Sequence, residues 1–160
     1  MLLQSQLMSE VKFLRDQLET TFKGDSWHGP NLVRTLSGID YEQVMKRPIG
    51  ERHNIWEITY HMIFWMEEVW KSVRDHRNLN PEKNKDWPES GATEEEWEQS
   101  VNRLEAAVNM TLDELSSWTD EDLEEKVPGE KYTFKQMLHG VVHHNLYHAG
   151  QINILKQKTS

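Results

Sequence analysis

The sequence predicts an all-α protein with the architecture of an antiparallel four-helix bundle, and three observations support that fold class. Four stretches carry apolar residues at steps of three and four, which is the period of an amphipathic helix. None of the sequence alternates apolar and polar residues as a half-buried strand does. The 160 residues are the size of one domain, 1–160, and suffice to bury a single core.

The first predicted helix covers residues 2–22. Its apolar positions at helical spacing are Leu3, Leu7, Val11, Leu14, Leu18 and Phe22. A stretch with two glycines and a proline, residues 24–30, ends it. A long, ordered connection follows, in which residues 30–36 and 40–46 are predicted to form short helical turns before Pro48 and Gly50 close it.

The second predicted helix starts after Asn54, a good N-cap residue, and continues to about residue 76. Its inner face consists of Ile55, Ile58, Met62, Trp65, Met66, Val69 and Val73. Residues 78–91 form a predicted loop. The third helix starts after Thr93, which has capping-box spacing to Glu96, and continues to about residue 117. Its inner residues are Trp97, Val101, Leu104, Val108, Leu112 and Leu115.

The fourth predicted helix starts after Thr133 and reaches about residue 156. It follows a short turn at residues 119–123 and a linker that Pro128 and Gly129 end. Its apolar stripe consists of Phe134, Met137, Leu138, Val141, Val142, Ile152 and Leu155. Such a stripe is typical of a helix that faces a core.

Four histidines lie within ten residues of the fourth helix. A rotation of about 100° per residue separates them into two i,i+4 pairs, centred about 140° apart. His144 and His148 flank the apolar stripe, whereas His139 and His143 share a side with Gln136 and Ile154. The pair formed by His144 and His148 is therefore predicted to face the core.

Two imidazoles one turn apart on an inward face can bind the same ion. Metal sites in helix bundles are built from inward side chains of facing helices, and His61 lies at the edge of the inner face of the second helix. His61 is thus the predicted third ligand, and three histidines leave a coordination position open, as in catalytic zinc sites. The alternative is that these are hydrogen-bonded core or surface histidines. It stays open because a chain with eight histidines often contains an i,i+4 pair by chance.

Composition and charge exclude several other classes. The 27 acidic and 18 basic residues give a net charge of −9, which repels nucleic acid and anionic membrane surfaces. There is no cysteine, so a metal must bind His, Asp or Glu. A di-iron carboxylate site lacks its Glu-x-x-His motifs, and a serine hydrolase lacks its Gly-x-Ser-x-Gly elbow. Without a signal sequence or an 18-residue apolar run, the protein is expected to be soluble and cytoplasmic.

Several motifs occur in an order that resembles the DinB/YfiT-like family, over nearly the whole chain. They are Trp27-His-Gly-Pro30, Arg47-Pro48, Asn54-Ile-Trp-Glu-Ile-x-x-His61 and His144-x-x-x-His148-Ala-Gly-Gln-Ile152. The resemblance implies a four-helix bundle with one divalent metal on His61, His144 and His148, and it implies homodimers. Some members of the family are S-transferases or isomerases that use a low-molecular-weight thiol such as bacillithiol or mycothiol, and others resemble metal-dependent hydrolases.

The leading functional prediction is therefore a metal-dependent enzyme of the thiol S-transferase or hydrolase type, acting on a small-molecule substrate. Zinc and nickel are the expected metals because both suit imidazole ligands. Glu57, one turn from His61, is the predicted acid or base. Arg34, Arg47 and Arg52 could bind an anionic thiol, judged by their loop positions. The alternative is a non-catalytic protein whose ion is structural.

Overall fold

The computed structural model describes residues 8–79 and 85–159. Its α-helices are α1 (Glu10–Phe22), α2 (Leu32–Leu36), α3 (Tyr41–Met45), α4 (Ile55–Asp75), α5 (Glu94–Glu114), α6 (Asp120–Glu124) and α7 (Phe134–Thr159). The described residues form no β-strand, and the all-α prediction is confirmed. None of these helices combines the length and the apolar character that a membrane span requires.

The four long helices, α1, α4, α5 and α7, form the predicted bundle. Helix α4 packs against both α5 and α7, and α1 also packs against these two helices. Helices α4 and α7 run antiparallel, since His61 near the start of α4 lies beside His148, and Met66 one turn later lies beside Asn145. This antiparallel pair carries the predicted metal ligands.

Helices α4 and α5 are also neighbours, but they run in the same direction. The indole nitrogen of Trp56, in the first turn of α4, donates a hydrogen bond to the Ser100 hydroxyl in the second turn of α5 at 3.0 Å. Further along both helices, Arg103 pairs with Glu67. The antiparallel arrangement therefore applies to α4 and α7 but not to α4 and α5. The connection over residues 76–93 is long enough for α5 to begin beside the start of α4.

Most helix boundaries agree with the capping signals. Asn54 and Thr93 cap α4 and α5 as predicted, and a capping box is present at Asn54 as well as at Thr93, where it was predicted. The first helix begins later than predicted, at Glu10, because the Ser9 side chain accepts a hydrogen bond from the backbone N–H of Lys12 and acts as the N-cap. The predicted positions Leu3 and Leu7 lie outside the described residues. The end predicted for the third helix is a 3₁₀ turn, Leu115–Ser117.

The core confirms the predicted inner faces of α4 and α7. Six of the seven residues predicted for α4 are buried, and only Trp65 is half-buried. All seven predicted for α7 are buried. The short helices α2 and α3 contribute Leu32, Leu36 and Val44 to the same core. Leu32 and Leu36 thus pack part of the α1–α4 connection against the core, whereas Trp27 and Val33 of the same connection are exposed.

Candidate metal centre

The antiparallel packing of α4 and α7 brings together His61, His144 and His148, which we call the three-histidine centre. The Nε2 atom of His144 lies 3.1 Å from Nε2 of His61 and 3.1 Å from Nε2 of His148. One ligand atom from each residue lies within 4.8 Å of the others. Nitrogen ligands bound tetrahedrally at zinc distances are about 3.3 Å apart, so the observed spacing fits a metal ligand set. The three-histidine centre can therefore hold one metal ion.

Hydrogen bonds to the opposite ring nitrogens orient two of these imidazoles. Nδ1 of His61 lies 2.5 Å from the Asp86 carbonyl oxygen, and Nδ1 of His148 lies 2.7 Å from Oε1 of Gln151. Because both partners are acceptors, each Nδ1 carries the proton and each Nε2 keeps its lone pair. Such hydrogen bonds fix the tautomer and the ring orientation of metal-binding histidines.

Burial also keeps the three-histidine centre neutral. It lowers the pKa of all three imidazoles, because the charged form loses solvation. The pKa of His144 falls furthest, to about 4, because its burial is reinforced by repulsion from His148 and His61 when they are protonated. Neutral imidazole is the form that binds a metal, so the centre is ready to bind at neutral pH.

The three-histidine centre lines a cleft of about 710 Å³. The other lining residues are Ile49, Arg52, His53, Ile58, Trp87, Tyr147, Gln151, Ile154 and Leu155. Ile49, Tyr147 and Ile154 are exposed apolar side chains, whereas Arg52 is a cation. A cleft of this size, with a mainly apolar lining and a few polar groups, is typical of a small-molecule site.

Two residues of the α4–α5 connection complete the surroundings of His61. Asp86 provides the carbonyl described above, and the indole of Trp87 stacks on the His61 ring, with centroids 3.9 Å apart and planes at 12°. Asp86 and Trp87 belong to the predicted loop, and neither they nor Gln151 of the His148-Ala-Gly-Gln motif is a predicted site residue. Trp87, a large aromatic residue beside Pro88 in a charged loop, was the signal in the sequence for a contact with the helices, because so large an apolar side chain usually packs against another surface.

The predicted acid or base, Glu57, lies beside the cleft with its carboxylate occupied. It accepts hydrogen bonds from the Arg47 guanidinium and the Asn54 backbone N–H, and its Oε2 lies 3.2 Å from Nδ1 of His53. Burial opposes its ionisation, but these hydrogen bonds outweigh that effect and lower the pKa of Glu57. Glu57 is not one of the described residues that line the cleft. Its direct role in proton transfer stays a prediction.

The three predicted arginines occupy different places. Arg52 lines the cleft, whereas Arg47 pairs with Glu57 at its edge. The guanidinium of Arg34 lies 3.5 Å from the Asp25 carboxylate on an exposed surface. Arg52 is therefore the member of this group that is placed to meet a ligand in the cleft.

The second histidine pair of α7 lies apart from the three-histidine centre. Nε2 of His139 lies 3.1 Å from the Glu10 carboxylate of α1, and His143 is exposed. The position of the apolar stripe predicts that these two residues lie away from the inward pair, and the structure confirms it. They serve as natural controls for the predicted metal ligands.

Fold and site together define the class of protein: an all-α bundle in which two antiparallel helices bring together three histidines that can hold a metal ion. A model of the DinB superfamily matches residues 26–152, a range that includes the three-histidine centre, and the chain belongs to that superfamily. Comparisons with curated proteins and with solved structures find no significant match.

Proposed function

We propose that this DinB-superfamily protein is a metal-dependent enzyme that acts on a small molecule. The three-histidine centre would hold one divalent ion, zinc or nickel. The observation that carries the proposal is the convergence of three Nε2 atoms at the wall of an open cleft, because three protein ligands leave room for a further ligand. An ion on three neutral imidazoles keeps its positive charge, and it would lower the pKa of a water or thiol that binds to it.

The residues around the centre support S-transfer or hydrolysis. Asp86 and Gln151 hold two imidazoles in the metal-binding tautomer, and Trp87 covers one face of His61. Arg52 places a positive charge in the same cleft, where it could pair with a carboxylate of a low-molecular-weight thiol. We propose thiol S-transfer as the leading reaction and hydrolysis as the other reaction that the same centre would support.

Turnover is expected only from metal-loaded protein. We expect zinc- or nickel-loaded protein to conjugate bacillithiol to monochlorobimane, followed by fluorescence, or to hydrolyse p-nitrophenyl acetate without thiol, followed by absorbance. Arg52→Ala should raise the KM for bacillithiol about tenfold, since it removes a hydrogen bond between charged groups. His143→Ala is the matched control and should behave as the unchanged protein. Equal rates with and without metal would contradict the proposal.

A second possibility is that the ion is structural, and one observation favours it. The ligands come from two helices that pack directly on each other, so an ion would join α4 to α7. In that case zinc should raise the unfolding temperature, since a ligand bound only by the folded state stabilises it. The absence of turnover in both assays, together with unfolding on metal removal, would identify this role.

We also propose that the protein forms a homodimer, as its resemblance to the family implies. Tyr147 and Ile154 are two turns apart on the same face of α7, and both are exposed at the rim of the cleft with Ile49. Light scattering after size-exclusion chromatography should give twice the monomer mass. Tyr147→Glu should shift the equilibrium toward monomer. A specific homodimer of micromolar affinity would form well below about 100 μM. A monomer at all concentrations up to that value would therefore exclude the dimer.

A further inference from the structure

The imidazole of His53 lies next to the three-histidine centre, separated from it by one indole ring. His53 stacks on Trp87 with centroids 3.7 Å apart and planes at 6°. Trp87 stacks in the same way on His61, at 3.9 Å and 12°. Two imidazoles at these distances from one indole would overlap if they occupied the same face. Trp87 therefore lies between His53 and His61.

The other groups around His53 fix its orientation. Oε2 of Glu57 lies 3.2 Å from its Nδ1, and Glu57 is itself held by Arg47 and by the Asn54 backbone N–H. A carboxylate in this position accepts a hydrogen bond from Nδ1–H and leaves the lone pair on Nε2, the arrangement that prepares a histidine for acid–base catalysis. Within residues 8–79 and 85–159, no hydrogen bond to Nε2 of His53 is found.

His53 also lines the cleft that contains the three-histidine centre, whereas Glu57 does not. It is half-exposed, so a ligand in the cleft can reach it. Glu57 contacts it, Arg47 pairs with Glu57, and Arg52 lines the same cleft. An imidazole whose Nε2 has no hydrogen-bond partner among the described residues, in a cleft that also contains Arg52, is chemically suited to accept a proton from a molecule that binds there as an anion.

We propose that His53 is the proton acceptor for the acidic group of a ligand that binds at the three-histidine centre. This inference rests on the proposed function. The O–H or S–H bond of the incoming ligand breaks, its electron pair stays on oxygen or sulfur, and the proton forms the N–H bond on Nε2 of His53. The resulting imidazolium keeps its Nδ1–H on Glu57, which is a positioning residue in this scheme.

The test uses zinc-loaded full-length protein and acetohydroxamic acid, a small acid that binds zinc as its anion. Calorimetric titration in buffers of different ionisation enthalpy measures both the affinity and the number of protons released. His53→Phe keeps an aromatic ring against Trp87 but removes the proton acceptor. We expect it to weaken hydroxamate binding about tenfold. It should also raise proton release to about one per ligand, where the unchanged protein retains that proton.

Two further variants separate proton transfer from packing. Glu57→Gln leaves the His53 ring in place but weakens the preference for the Nδ1–H tautomer, which ¹⁵N NMR of the imidazoles reports directly. We expect the unchanged protein to show His53 as the Nδ1–H tautomer and to show it protonated after acetohydroxamic acid is added. His143→Gln, an exposed histidine on α7, should match the unchanged protein in affinity and proton release.

The outcomes distinguish this inference from the proposed function. Zinc affinity is measured first for every variant, and His53→Phe should retain it, because His53 is not one of the proposed ligands. If His53→Phe binds acetohydroxamic acid with unchanged affinity and unchanged proton release, His53 only packs on Trp87 and the inference is wrong. If the unchanged protein does not bind zinc, the proposed function itself fails.

Discussion

Replacement of His144 or His148 by alanine is expected to weaken zinc binding more than about 100-fold, because loss of a group that merely orients a metal ligand already costs about 10–100-fold. His61→Ala should have the same effect, since the Nε2 atoms of His61 and His148 each lie 3.1 Å from Nε2 of His144. Two remaining imidazoles would compete poorly with water for the ion. Competition with a chromophoric chelator at pH 7.5 measures the affinities.

The second histidine pair of α7 provides the matched controls for that experiment. His143 is exposed and His139 contacts Glu10, so alanine at either position should change zinc affinity by less than about threefold, in the range of surface substitutions. A loss at His143 as large as that at His144 would show that the ion binds on the other side of α7. Circular dichroism of each variant establishes that the helices are retained.

Zinc affinity is expected to stay nearly constant from pH 8 to about 6.5, the ordinary pKa of histidine, and to fall steeply toward pH 4. Burial lowers the pKa of each ligand, and that of His144 to about 4, so protons compete with the metal only in acid. Zinc titrations in steps between pH 8 and pH 4.5 measure this profile. An affinity that already falls between pH 8 and pH 7 would contradict it.

The same pKa values predict how the metal-free fold responds to acid. Below pH 6.5 the unfolded chain binds protons on these histidines while the folded chain resists them until the lowered pKa values are reached. The unfolded state then holds more protons, so the free energy of unfolding decreases as the pH falls from 6.5 toward 4. Glu57 and Glu68 have pKa values lowered from 4.5, so the stabilisation that their ionised carboxylates contribute is lost mainly below that pH. Urea unfolding at pH 7 and pH 5 therefore isolates the histidines.

The four long helices and the phase of the histidines could be predicted because they depend on residues within one or two turns. Asn54 and Thr93 cap α4 and α5 through hydrogen bonds that span three residues. The apolar stripe of α7 separates His144 and His148 from the other pair by rotation alone. His61 could be added because bundle helices place their inward side chains opposite one another.

The sequence by itself thus determined the bundle, its caps and the three histidines of the centre, since helical periodicity records which side chains face inward. Only the tertiary structure decided that α5 runs parallel to α4 and that Asp86 and Trp87 reach His61, because a loop has no periodicity that predicts its path. The contacts of the Glu57 carboxylate with Arg47 and His53 also depend on the tertiary structure. The angle of a residue around a helix places its Cβ, whereas the direction of a flexible carboxylate depends on the hydrogen-bond donors that the folded chain brings near it.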